Sequence, residues 1–83
     1  MYQITTDESV QRQIDRLPTE ALAPFAELRM LLELKPWSGD ALNGNNPDGP
    51  VRTFAFGQGL GLATYLILED QRRVDLLQVI WLG

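Results

Sequence analysis

Apolar residues alternate at the start of this chain, repeat with helical spacing through its middle, and crowd together at its end. "YQIT" puts Tyr2 and Ile4 on one face and suits a short first strand. Val10, Ile14 and Leu17 then recur at i, i+4 and i+7, the stripe of an amphipathic helix that must stop before Pro18. Two N-caps fit its start: Thr5, with Glu8 three residues on, or Asp7. The helical period restarts at Thr19, with Ala21, Phe25, Leu28 and Leu32 in one stripe, and Pro36 ends it. Pro24 predicts either a late start or a bend in the first turns. Only a Leu-Pro-Thr corner separates the two helices, so an antiparallel hairpin is expected.

"PWSGDALNGNNPDGP" is a loop by composition, and Trp37 and Leu42 are its expected anchors on the sheet. For Trp37 a stacking platform for a base or ring is the alternative. Three strands follow: "VRTFAF", "LATYLILE" and "VDLLQVIW". "GQGLG" joins the first two as a hairpin loop and "DQRR" turns between the last two. The predicted order is β-α-α-β-β-β, an α+β fold with a helical hairpin packed on one face of a small, mainly antiparallel sheet. The other face is left open. At 83 residues the chain is one domain, 1–83, with no room for a second core.

Composition removes chemistry more than it adds any. With no histidine and no cysteine there is no imidazole base, thiolate nucleophile, disulfide or Cys/His zinc site. No cofactor or metal is implied. The net charge is −4, and seven Lys and Arg are few for neutralising phosphates. The first ten residues have no basic or apolar leader pattern and no apolar run is long enough to span a bilayer, which predicts a cytoplasmic protein without membrane contact.

Several groups remain as candidates. "GQGLG" is G-x-G-x-G before a strand, not G-x-G-x-x-G before a helix, so a turn explains it. Glu20, Glu27 and Glu33 read as a solvated helix surface. Arg52 and Tyr65 fall on strands that pair, and on an open sheet face they would hold a phosphodiester and move a proton. The structural alternative is an edge Arg reaching solvent and a core Tyr. Arg72 and Arg73 stand at the tight turn, for solubility or for binding phosphate or an acidic partner. A tryptophan such as Trp81 is most often core, but the run around it, "LLQVIWLG", is apolar on both faces, which predicts a covered surface or a homodimer interface.

Taken in order, "Y-x-I", "S-x-x-x-x-Q-I-x-x-L-P", "V-R-x-F-x-F-G", "T-Y-L-I-L-E-D" and "R-R-V-D-L-L-Q-V" resemble the RelE/ParE superfamily of bacterial toxins over nearly the whole chain. The resemblance implies a toxin–antitoxin pair, in which RelE-type toxins cut mRNA on the ribosome, ParE-type toxins poison DNA gyrase, and an antitoxin protein neutralises either. It places Arg52 and Tyr65 at positions where the family commonly has a basic residue and a tyrosine. The pattern also departs from the family. Gly61 or Leu62 replaces a basic residue, and Ile80, Trp81 and Leu82 replace the terminal "G-H-R". Without those cations a transition-state phosphorane loses stabilisation worth roughly 10²–10³ per donor. The expectation is therefore a toxin-like component acting mainly by protein binding, with Arg72, Arg73 and Trp81 on its surface. A ribosome-dependent endoribonuclease using Arg52 and Tyr65, or a non-catalytic interaction module, are the alternatives.

Overall fold

The computed structural model describes residues 1–83. Strand β1 (Gln3–Thr6) leads into α1 (Glu8–Asp15) and α2 (Thr19–Leu34). A short 3-10 turn over Pro36–Ser38 precedes β2 (Asp40–Ala41), and β3 (Val51–Phe56), β4 (Gly61–Leu68) and β5 (Arg73–Trp81) complete the chain. The sheet runs β1-β5-β4-β3-β2, with β1 parallel to β5 and every other pair antiparallel. The two-residue β2 was not expected; it is too short to leave a periodic signal. No helix is long and apolar enough to cross a membrane.

Asp7 is the cap of α1, its carboxylate accepting the Val10 N–H at 2.8 Å. Helix α2 runs through Pro24 without breaking, because the ring sits one turn into the helix and its missing donor costs one bond. Ala21, Phe25, Leu28 and Leu32 are its buried residues, the stripe read from the sequence. Phe25 meets Phe56 edge-on at 5.6 Å, joining α2 to β3. Tyr2, Ile4, Val10, Tyr65, Ile67, Val74, Leu76 and Val79 belong to the same core.

Two local devices shape the sheet. At the 57–60 turn Gly57, Gln58 and Gly59 all take positive φ, reversing the chain between β3 and β4. In β5 the register slips: Tyr65 pairs with Leu76 but Thr64 pairs with Gln78, so Leu77 is an inserted residue. Without that bulge Gln78 and Ile80 would share the core face with Leu76; with it, Val79 and Trp81 do. Strand β1 ends opposite Leu76, leaving Val79 without a strand neighbour on that side. Its N–H donates instead to the Gln13 side chain of α1, at 2.7 Å.

Candidate functional site

Arg52 and Tyr65 are cross-strand partners, as the sequence suggests, but on the helix-covered side of the sheet. The expectation that they face outward from the open side is corrected, and so is the alternative of an edge arginine reaching solvent. Arg52 is 9% exposed. Its Nε donates to the Gly49 carbonyl at 3.2 Å, Nη1 to that of Gly39 at 2.8 Å and Nη2 to that of Pro47 at 2.7 Å. The guanidinium also lies 4.9 Å from the centre of the Trp37 ring. Every nitrogen that could meet a phosphate is turned onto the 36–50 loop.

Tyr65 is fully buried and donates its hydroxyl to the Pro36 carbonyl at 2.6 Å. Burial pushes its phenol up to about 12, partly offset by the Gly39 backbone and the Arg52 charge. Gly39 is required beside it, since a Cβ there would lie 2.1 Å from the Tyr65 hydroxyl. Arg52 and Tyr65 together hold the long loop down, the task assigned to Trp37 and Leu42 from sequence. Trp37 shares it, but the Leu42 side chain is 59% exposed, and Leu42 holds to β3 only through its backbone N–H.

Trp37 works through its polar end. Its indole N–H donates to Glu69 Oε1 at 2.7 Å, and the Tyr2 hydroxyl donates to the same oxygen at 2.6 Å. Arg72 completes the group, 3.1 Å from Glu69 Oε2 and 4.4 Å from the centre of the Tyr2 ring. Tyr2, Trp37 and Arg72 hold the Glu69 carboxyl below its ordinary range, and the same bond to Glu69 raises the Tyr2 phenol. Tyr2 and Glu69 were missed as partners. They lie 67 positions apart, and nothing local marks either one.

Arg73 sits on the open side, bidentate to Asp75 at 2.8 and 3.2 Å. Asp75 also accepts from Thr5, and the two contacts hold its carboxyl below the usual range. Trp81 faces inward, 5.9 Å from Phe56, because of the Leu77 bulge; its expected place on the surface is corrected. Its buried indole N–H has no partner.

The open side is therefore apolar and locally neutral. Val51, Thr53 and Ala55 of β3, Leu62, Thr64 and Leu66 of β4, and Ile80 of β5 share it by register. Leu62 is 38% exposed and Leu77 47%. Apart from the buried Arg52, the cations without an ion pair are Arg16, Arg29 and Lys35, which belong to the helices or their ends. No group of three carboxylates is close enough to hold a metal ion.

No protein-family model and no curated protein matches the chain. Solved structures do. The isolated E. coli RelE toxin superposes with a TM-score of 0.80 at 9% identity, over 100% of this chain and 86% of that one. The toxin of the intact E. coli RelBE toxin–antitoxin complex gives 0.79 at 12% identity, covering 95% and 94%. The archaeal RelE–RelB complex from Pyrococcus horikoshii gives 0.73 at 20% identity, covering 99% and 96%. At such identities the shared property is the architecture: this chain has the RelE toxin fold.

Proposed function

We propose that this chain is the toxin-fold component of a bacterial toxin–antitoxin pair and acts by binding protein rather than by cutting RNA. The observation that carries this reading is the charge on the sheet. Arg52 is sealed under the loop, and Arg72 and Arg73 are neutralised by Glu69 and Asp75. Cleavage of a phosphodiester without histidine needs cations free to meet a developing negative charge, and the open side presents leucine, threonine and isoleucine instead. Such a surface suits burial against protein. Structural neighbours that are complexes of RelE with RelB support an antitoxin as one partner. DNA gyrase is the target class that the ParE side of the resemblance suggests.

Inducible expression in a bacterial host, following growth and mapping mRNA 5′ ends, tests the reading. Growth arrest without new 5′ ends is the expected result. New cleavage sites would overturn it in favour of a ribosome-dependent endoribonuclease. Normal growth with abundant soluble protein would remove the toxic action and leave a non-catalytic interaction module or homodimer, for which the neutral apolar side is suited.

A further inference from the structure

Two stretches of the sheet lack a neighbouring strand, and the chain treats them differently. Beyond Leu76, β5 outruns β1, and Gln13 covers that edge by accepting the Val79 N–H. Beyond Thr53, β3 outruns β2, whose pairing ends at Asp40 opposite Thr53. The Pro50 carbonyl accepts from Ile67 of β4, whereas the Val51 carbonyl accepts from Leu42 on the β2 side. Backbone direction alternates along a strand, so Ala55 shares the direction of Val51. Its N–H and C=O both point out of the sheet at an exposed position. No side chain plays the part there that Gln13 plays at the other edge.

Beside this edge lies a groove of about 220 Å³ between β3 and α2. Pro24, Leu28 and Leu31 form one wall and Phe54 and Phe56 the other, with Glu27 the charged residue in it. A row of free backbone groups next to an apolar trough is the arrangement that accepts an extended peptide: main-chain bonds supply affinity, and alternate side chains fill the trough.

We propose that the free edge of β3 and this groove hold an extended segment of a partner protein, apolar at alternate residues and carrying a Lys or Arg that meets Glu27. The inference deepens the protein-binding reading above and rests on it. A second copy of the chain is the poorer occupant. Pairing β3 with its own copy would bring together two chains of net charge −4, each with Glu27 beside the edge and no cation in the groove.

A random dodecapeptide library displayed on phage, panned against the full chain, supplies the probes. Selected peptides are then titrated against the wild type, Glu27→Lys and Ala55→Pro, with amide exchange at Ala55 followed by NMR. Ala55→Pro removes a donor that no internal bond uses, as an edge position tolerates; Glu27→Lys sits on an exposed helix surface and keeps the test alive should the proline variant fail to fold. The expected peptides alternate apolar residues and carry a Lys or Arg, protect the Ala55 amide, and bind Glu27→Lys about tenfold more weakly. An absence of binders, or binders that leave the Ala55 amide unprotected and ignore Glu27→Lys, would overturn the proposal. So would concentration-dependent protection of that amide without peptide, which assigns the edge to a second copy. Growth arrest without edge-binding peptides would remove this surface and leave the protein-binding reading standing; edge-binding peptides from a chain that never arrests growth would do the reverse to the toxic action.

Discussion

Replacing Arg52 with alanine leaves the carbonyls of Gly39, Pro47 and Gly49 without their donors and uncovers one face of Trp37. A buried charged hydrogen-bond network of this kind is worth about 2–4 kcal/mol when broken. Lysine does not restore it, because one ammonium lacks the fork that reaches three acceptors. Urea unfolding should show both variants destabilised, with Arg52→Ala the worse; a loss below about 0.5 kcal/mol would refute the loop-holding role. Tyr65 adds a pH dependence. Its phenol titrates near 12 in the folded chain and near 10 when unfolded, so the neutral form is favoured by folding. That stability is intact below pH 10 and is lost as pH rises from 10 towards 12, by at most about 1.4 kcal/mol per pH unit. Tyr2 is also raised and falls in the same limb. The difference between wild type and Tyr65→Phe isolates the Tyr65 part, and parallel curves for the two between pH 9 and 11.5 would contradict it. The cross-strand pairing of Arg52 and Tyr65 was legible, since strand lengths and the hairpin loop fix it. Their side of the sheet was not. In β3 the residues of both faces are apolar enough to be either one, and only the course of the 36–50 loop beneath the strand decides.

The β5 strand shows the same limit at the level of an element. Its existence, length and antiparallel partner followed from "VDLLQVIW" and the turn before it. Its bulge did not, because Leu76 and Leu77 are chemically the same and either could be the inserted residue. The consequence is large: the insertion turns Val79 and Trp81 inward and leaves Leu77 outside. Deleting Leu77 restores a regular ladder and moves no other side chain across the sheet, because Gln78 then follows Leu76 directly and Val79 and Trp81 stay inward. The loss of one exposed leucine and of the local bend of the bulge should cost about 1–2 kcal/mol, and the domain should still fold. Leu77→Ala, which shortens an exposed side chain and keeps the register, should stay within about 1 kcal/mol. Circular dichroism melts of the two variants check this; a deletion variant that does not fold would mean that the bulge itself, and not only the facing of Val79 and Trp81, holds the strand. The buried stripe of α2, by contrast, was readable, although the passage of the helix through Pro24 was not. A 3.6-residue period has one buried stripe, and Ala21, Phe25, Leu28 and Leu32 leave no second solution.

Across the whole molecule the distribution of charge separates the functional readings. The chain carries eleven Asp and Glu against seven Lys and Arg. Of those seven, Arg52 is buried, and Arg12, Arg72 and Arg73 pair with Glu8, Glu69 and Asp75. Arg16, Arg29 and Lys35 are left, on the helical half and not on the open side of the sheet. An RNA strand laid on that open side would displace no counterions through protein cations, and it would approach a chain of net charge −4. Fluorescence anisotropy with a labelled single-stranded RNA should therefore show no binding tighter than about 10⁻⁴ M at 50 mM salt. Association with a protein partner through leucine and isoleucine follows a different rule. Apolar burial is almost indifferent to screening, so its affinity should hold or rise slightly between 50 mM and 500 mM salt. Micromolar RNA binding that collapses as salt is added would reveal a phosphate site built from cations this fold keeps paired, and would bring the ribonuclease reading back ahead of protein binding.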